Sequence, residues 1–223
     1  MKILDFIFPK FCYGCRKIGE YLCSKCLKDI SILKFQKCPK CMRRSSDAKF
    51  CKFKCKRSYY FDQLIVCSDY QKNPILNKII HDFKYRYCRD LKNLLGSILD
   101  QQLENFDLKD YYLVPVPMHK SNLRERGFNQ SLLLAEYLKN FKLLDCLEKI
   151  ELTQNQSKLN KKNRSINLNG SFSLKEKHKT EIKNKKIVLL DDVATTLSTL
   201  NECTKVLKNA GARTVTGLVL ARA

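Results

Sequence analysis

Eight of the twelve cysteines lie in four closely spaced pairs within the first quarter of the 223-residue chain. A pair with two or three residues between its members lets two thiolates bind one tetrahedral Zn²⁺, and a second pair completes a closed structural site. The spacing predicts a double zinc ribbon. An interleaved arrangement, which joins the first pair to the third, uses the same residues and stays open. In sequence order the ligand sets are Cys12, Cys15, Cys23 and Cys26, and Cys38, Cys41, Cys51 and Cys55.

The start of the chain indicates a reducing compartment. Its apolar residues are interrupted by Asp5 and Pro9, and no small-residue cleavage site follows them. No apolar run in the sequence approaches the roughly 18 residues of a membrane span. We therefore expect a cytoplasmic protein with no membrane span, whose thiols bind metal instead of forming disulfides. A redox-active pair is the alternative, but four pairs in series have no place in one thioredoxin-like site.

The charge of the chain favours polyanionic ligands. Lysine and arginine number 43 against 22 acidic residues, a net charge of +21. Such an excess attracts nucleic acid, anionic lipid or phosphorylated small molecules. The alternative is compositional drift, because an AT-rich coding sequence also enriches lysine. Four aromatic residues interleaved with basic ones could stack bases, or they could form the small core of the ribbon: Phe50, Phe53, Tyr59 and Tyr60.

The composition changes after the last cysteine pair, from cysteine and lysine to alternating strand and helix patterns. We predict a double zinc-ribbon domain over residues 1–58 and an α/β domain over residues 59–223. Alternating strands and helices predict a parallel sheet with crossover helices. Strands are expected over 62–70, 111–116, 187–190 and 214–220, helices from 74 onward, over 129–141 and over 199–209, and a long loop or hairpin over 153–186.

The sharpest motif of the second domain is a buried strand followed by two acids and several hydroxyls. Residues 187–190 precede Asp191 and Asp192, and the next helix is expected to begin near Thr199. Ligands of open parallel sheets bind beyond the carboxyl ends of the strands, and a helix N-terminus offers free N–H groups to a phosphate. The acids could bind a ribose diol or help to hold Mg²⁺. The simpler alternative is an acidic cap on an ordinary turn.

This segment resembles the phosphoribosyl pyrophosphate signature of the type I phosphoribosyltransferases. The resemblance implies that the ribose hydroxyls bind the two acids and that the 5-phosphate binds the loop that follows them. The family usually has Gly where this chain has Leu197, and Gly permits backbone torsions and a close phosphate approach that a branched side chain resists. The ligand-binding residues expected from the resemblance are Asp191, Asp192, Ala194, Thr195, Thr196, Ser198 and Thr199.

A second motif narrows the resemblance. The sequence Val-Pro-Val-Pro over residues 114–117, followed by Arg-x-Arg-Gly-Phe-Asn-Gln over 124–130, is similar to the ComF family, which is linked to DNA uptake in natural competence. That family implies a type I phosphoribosyltransferase-like fold that is preceded along the chain by a four-cysteine zinc ribbon. The loop after this strand would lie beside the pyrophosphate, although its charges could also be exposed charges at a helix start. The charged donors expected there are His119, Lys120, Arg124 and Arg126.

The resemblance extends over nearly the whole chain. Tyr70 and the pair Lys84-Tyr85 match the family pattern, and so does a basic segment that could close over a polyphosphate, touch a nucleic-acid backbone or merely be solvated. The matching residues of that segment are Thr153, Gln156, Leu159, Arg164, Asn167 and Phe172, and its additional basic residues are Lys158, Lys161 and Lys162.

Three functions follow as hypotheses. The first is Mg²⁺-dependent phosphoribosyl transfer, in which positioning and electrostatic stabilisation of the leaving pyrophosphate supply the rate enhancement. The second is a binding module for single-stranded DNA during natural transformation, whose phosphoribosyl pocket binds a phosphorylated ligand. The third is an adaptor whose zinc ribbons dock a competence helicase. The sequence names no acceptor substrate and no catalytic residue.

Overall fold

A computed structural model describes residues 9–86, 88–150 and 170–223. The strands are β1 (Gln36–Lys37), β2 (Arg44–Ser45), β3 (Gln63–Asp69), β4 (Tyr111–Pro115), β5 (Lys142–Leu143), β6 (Leu147–Lys149), β7 (Phe172–Leu174), β8 (Lys186–Ala194) and β9 (Thr214–Arg222). The helices are α1 (Ser24–Leu27), α2 (Phe53–Lys56), α3 (Pro74–Tyr85), α4 (Leu91–Leu103), α5 (Lys120–Arg126), α6 (Gln130–Tyr137) and α7 (Ser198–Asn209). No helix in these ranges is long and apolar enough to cross a membrane.

The centre of the molecule is a five-stranded parallel sheet with the order β3-β9-β8-β4-β5. Helices α3, α4 and α6 supply apolar residues to one face of the sheet, and α7 supplies them to the other. The cysteine-rich segment precedes the sheet along the chain. This arrangement confirms the predicted α/β class, a parallel sheet flanked by helices behind an N-terminal cysteine array.

Strand β8 shows why the sheet is buried on both faces. Ile187 and Leu189 belong to the apolar cluster under α7, and Val188 and Leu190 belong to the cluster under α3 and α4. All four side chains are inaccessible to solvent. A parallel strand that is covered on both faces must be apolar at consecutive positions. The continuous apolar run in the sequence therefore predicted a central strand correctly.

Three elements differ from their predicted bounds. Strand β8 continues to Ala194, so both acids lie within the end of the strand. Helix α5 lies within the segment that was expected to be a loop after β4. Helix α6 ends at Tyr137 because Leu138 leaves the helical region, with φ −78° and ψ 67°, and the chain then enters the short edge strand β5.

Strands β6 and β7 form a separate antiparallel pair. They stand at the two ends of the predicted basic segment, and Phe172, at the start of β7, is buried. The other residues predicted to contact phosphate or DNA in that segment lie outside the described residues: Thr153, Gln156, Lys158, Leu159, Lys161, Lys162, Arg164 and Asn167.

The cysteine-rich segment lies along β3, the strand at one edge of the sheet. Gln36 bonds the backbone of Val66 twice, with its Nε2 donating to the carbonyl and its Oε1 accepting from the amide, both at 2.9 Å. The Leu64 amide donates to the Ala48 carbonyl at 2.9 Å. Backbone groups at the free side of the edge strand are thereby paired. The division into domains at residues 58 and 59 stays a prediction.

Candidate functional site

The eight paired cysteines form two groups in sequence order. The Sγ atoms of each group lie within 4.8 Å of one another, so that each group could hold a metal ion. Both groups use the same turn: the amide of Arg16 donates to the Cys12 carbonyl at 2.9 Å, and the amide of Met42 donates to the Cys38 carbonyl at 3.0 Å. Arg16 and Met42 both have a left-handed backbone, with φ of 65° and 61°. The sequence-order grouping is therefore the one that the fold brings together.

The electrostatics of both groups suit a cation. Burial opposes ionisation of Cys12 and Cys38, but backbone N–H groups directed at each sulfur outweigh it and lower the pKa of both thiols to about 6. In the absence of metal, the neighbouring thiols raise the pKa of Cys26 and Cys51 to about 12. Four sulfurs around one point, with one readily ionised thiol in each set, fit the ligand set of a structural Zn²⁺ site.

The two acids of the second motif lie at the carboxyl end of β8, where three other segments meet. The Val116 amide donates to the Leu190 carbonyl at 2.9 Å, which brings the end of β4 beside them. The Ser131 hydroxyl, near the start of α6, donates to Asp191 Oδ1 at 3.2 Å. From the end of α3, Lys84 Nζ lies 2.8 Å from Asp192 Oδ1. The site thus combines two carboxylates, a hydroxyl and an ammonium group.

The burial of the acid pair affects its protonation. Burial raises the pKa of Asp191 to about 7, and the charge of Asp192 acts in the same direction. The Asp192 amide, Lys84 and the Ser131 hydroxyl oppose that shift. Asp191 therefore titrates close to neutral pH, and a ligand that donates hydrogen bonds to it would favour its charged form.

The loop after β8 has a left-handed backbone at the leucine that replaces the family's usual glycine. Leu197 has φ 64° and ψ 4°, the left-handed conformation that Gly adopts most easily, and its side chain is 3% exposed in the cluster under α7. Such a conformation costs a residue other than Gly about 1–2 kcal/mol. Thr195 and Thr196 are exposed, and the Ser198 amide donates to Thr196 Oγ1 at 3.4 Å. Burial of the leucine side chain thus holds the torsions that the sequence alone placed in doubt.

The predicted pyrophosphate contacts lie around α5. His119 is the N-cap of this helix, and its Nδ1 accepts from the Ser121 amide at 3.3 Å. Lys120 and Arg124 are exposed on the helix. The Arg126 guanidinium lies 4.8 Å from the centre of the Tyr85 ring, next to Lys84 in sequence. Arg126 is therefore tied to the end of α3, and the assignment of all four residues to a ligand stays a prediction.

Relatives of the chain are named as competence proteins and DNA utilization proteins. The competence protein ComFC of Streptococcus pneumoniae is 32% identical over 213 residues, which cover 93% of this chain and 90% of that protein. The chain belongs to the ComFC family. Competence protein F of Haemophilus influenzae is 31% identical over 91% of this chain and 90% of its own length. The DNA utilization protein YhgH of Salmonella typhimurium is 27% identical over 93% of this chain and 94% of its own length.

The ComFC assignment rests on these relatives, because no family model matches the chain. Among solved structures, the allosteric regulatory enzyme of purine biosynthesis aligns with a TM-score of 0.36 at 17% identity, over 57% of this chain and 25% of that one. Hypoxanthine phosphoribosyltransferase from Trypanosoma cruzi aligns with a TM-score of 0.34 at 12% identity, over 62% and 69%.

The aromatic residues of this ComFC-family ribbon divide into two groups. Phe50 and Tyr59 stack at 5.3 Å between ring centres, and both also contact the buried Phe61, so these two serve the core. Phe53 on α2 is 82% exposed, and Tyr60 is 45% exposed. Phe50 and Tyr59 therefore belong to the core of the ribbon, whereas base stacking by Phe53 and Tyr60 stays a prediction.

Sequence reasoning missed two contacts of the acid pair. Lys84 matched the family pattern, but nothing in its helical spacing pointed to Asp192, which is 108 positions away along the chain. Ser131 directly follows the Asn-Gln end of the second motif. This position next to the motif was the only feature of the sequence that pointed to a role of Ser131 in the site. The link from Tyr13 to Asp82, at 2.9 Å between the hydroxyl and Oδ2, also gave no sequence signal.

Proposed function

We propose that the protein binds phosphoribosyl pyrophosphate or a related phosphorylated ligand and acts in the handling of single-stranded DNA during natural transformation. The observation that carries the proposal is the meeting of Asp191, Asp192 and the loop before α7 with the end of β4, at the carboxyl edge of a parallel sheet. Ligands of such sheets bind at this edge. The names of the relatives, competence and DNA utilization proteins, support the cellular role.

The proposed binding mode assigns a separate role to each segment. Asp191 and Asp192 accept hydrogen bonds from the ribose hydroxyls. The 5-phosphate lies against the amides of the loop that starts α7, where the helix dipole favours negative charge. The donors around α5 contact the pyrophosphate. The phosphate-loop residues are Ala194, Thr195, Thr196, Ser198 and Thr199, and the pyrophosphate donors are His119, Lys120, Arg124 and Arg126.

The part of the protein that binds DNA is proposed to be the second cysteine group and its surroundings. Phe53 projects into solvent between Lys52 and Lys54 at the beginning of α2. An exposed ring beside ammonium groups can stack a base while the lysines contact the phosphates. Zn²⁺ held by Cys38, Cys41, Cys51 and Cys55 would fix the turn that carries this ring, and it has no chemical role in the proposal.

Titration calorimetry with phosphoribosyl pyrophosphate, run with and without Mg²⁺, tests the pocket. We expect micromolar binding by the wild type and a loss of at least about tenfold in Asp191→Asn plus Asp192→Asn, because hydrogen bonds to charged groups contribute about 1.5–3 kcal/mol each. Lys78→Met, on the outer face of α3, is the matched surface control. Absence of wild-type binding under both conditions would overturn the proposed ligand binding.

Leu197→Gly distinguishes a working pocket from a degenerate one. The change relieves the left-handed strain but removes a buried side chain, so we expect the free energy of unfolding to fall by about 2 kcal/mol. Ligand affinity should stay within about threefold of the wild type, since the backbone at Leu197 is already left-handed. Binding by the Gly variant alone would favour the alternative function, a non-catalytic zinc-ribbon adaptor or DNA-binding protein with a degenerate pocket.

A further inference from the structure

Lys84 places a positive charge inside the acidic site. Its Nζ lies 2.8 Å from Asp192 Oδ1, and the two side chains are 20% and 11% exposed. The contact is therefore an ion pair largely withdrawn from water, where charges attract more strongly than at the surface.

The backbone around Lys84 is anchored to neighbouring elements. The Lys84 carbonyl accepts from Nε2 of the buried Gln130 at 3.4 Å, which ties the last turn of α3 to α6. Near the end of the same helix, the carboxylate of Asp82 is held by the hydroxyl of Tyr13. The lysine thus extends into the site from a helix that is anchored on both sides.

The charges that face this ammonium are those of the acid pair. Asp191 and Asp192 both accept their hydrogen bonds through Oδ1, from Ser131, from Lys84 and from backbone amides of the strand end. A divalent cation bound directly to Asp192 would lie against the ammonium group and be repelled by it. The residues of this site therefore do not fit a Mg²⁺ ion at the acid pair.

We infer that Lys84 takes the place of a divalent cation at the acid pair, so that this pocket binds phosphoribosyl pyrophosphate without Mg²⁺. The inference rests on the proposed function. An ammonium group has three donors, and the contact with Asp192 leaves others for an oxygen of the ligand. The basic residues around α5 meet the remaining phosphate charge.

The test is equilibrium dialysis with radiolabelled phosphoribosyl pyrophosphate, in metal-depleted buffer and in buffer with Mg²⁺ at matched ionic strength. No chelator is added, and the zinc content of each sample is measured, so that loss of zinc cannot imitate loss of Mg²⁺. Wild-type affinity should agree within about twofold between the two buffers. Lys84→Met should bind at least about tenfold more weakly in metal-depleted buffer and recover at least about threefold on addition of Mg²⁺, because the ion would then replace the missing charge.

Two control variants distinguish the effect of the Lys84 charge on binding from an effect of the substitution on folding. Lys78→Met changes an exposed lysine of the same helix and should bind like the wild type in both buffers. Lys84→Arg keeps the positive charge and should keep binding insensitive to Mg²⁺. Circular dichroism reports whether each variant is folded, and the wild-type comparison between buffers requires no variant at all.

The outcomes are distinct. Wild-type binding that appears only with Mg²⁺ overturns the inference and leaves the proposed function standing. Absence of wild-type binding in both buffers overturns the two together. A Lys84→Met variant that binds like the wild type in metal-depleted buffer also overturns the inference, because the ammonium would then contribute nothing to ligand binding.

Discussion

The two cysteine groups share one turn geometry and differ in their surroundings. In the first group Cys12, Cys23 and Cys26 are buried in the same apolar cluster as α3, α4 and one face of the sheet. In the second group Cys41 and Cys51 are exposed, as Cys15 is in the first, and the buried Cys38 and Cys55 lie outside both apolar clusters. The backbone at Gly14, inside the first turn, is so close to Cys26 that a Cβ there would lie 2.6 Å from its Sγ.

From this difference we infer that the two candidate metal sites stabilise the fold to different extents. A site inside the main core stabilises the whole fold, whereas a site at the surface can hold side chains for a partner. The second group carries the exposed Phe53, and the first group has Tyr13 bonded to α3. The comparison leads to three predictions.

The largest effect is expected from removal of one ligand in each group. Cys12→Ser should lower the free energy of unfolding by about 4 kcal/mol or more, because metal loss there also disturbs the main core. Cys51→Ser should lower it by only about 1–2 kcal/mol. Urea unfolding gives both values, and atomic emission should find one zinc ion fewer in each variant. Equal losses of stability would end the distinction between the groups.

Removal of the Tyr13 hydroxyl should have a smaller effect on the free energy of unfolding. Burial and the neighbouring Asp82 raise the pKa of this hydroxyl, so it remains a protonated donor at neutral pH. Tyr13→Phe leaves the buried Asp82 carboxylate without that donor and should cost about 1.5–3 kcal/mol. Tyr60→Phe, at an exposed tyrosine near the second group, should change stability by less than about 0.5 kcal/mol. Thermal unfolding compares the two, and a Tyr13→Phe protein as stable as the wild type would show that the first group is not braced through this bond.

The smallest effect on stability is expected at Phe53. Its substitution should nevertheless weaken the binding of single-stranded DNA. Phe53→Ala should leave the free energy of unfolding within about 0.5 kcal/mol of the wild type and weaken binding to a labelled single-stranded oligonucleotide by about tenfold, since one stacked base contributes about 1–3 kcal/mol. Phe11→Ala, at an exposed ring beside the first group, is the matched control. Fluorescence anisotropy gives both affinities. The logarithm of wild-type affinity should fall with the logarithm of salt by about 0.7 per phosphate contact, and weak, salt-insensitive binding would count against a DNA role.

The sequence predicted the sheet well because the central strands are buried, and burial is visible in their apolar residues. Residues 187–190 are apolar without interruption, which only a strand covered on both faces requires. It did not predict β5, because Lys142 and Leu143 are two exposed residues without a strand pattern and owe their conformation to pairing with β4. A local sequence pattern indicates whether a residue is buried, but it does not indicate which distant segment that residue contacts.

The same limit applies to the site. Spacing along the chain was sufficient to group the cysteines, because each set lies within one short segment. Lys84 and Asp192 come from a helix and a strand far apart in sequence, and only the order of strands in the sheet brings them within 2.8 Å. Leu197 is a third case: a branched side chain resists left-handed torsions, yet the backbone there has φ 64° with the side chain buried, which the sequence did not predict.

The position of the cysteine-rich segment along β3 has a consequence for solubility. An edge strand with unpaired N–H and C=O groups is a template for pairing with other chains. Residues 64–66 of this strand are Leu-Ile-Val, and Gln36 and Ala48 occupy backbone groups of Val66 and Leu64. The cysteine-rich segment thereby blocks the pairing of β3 with a strand of another molecule. A variant without this segment would expose the edge of β3 and should aggregate more readily.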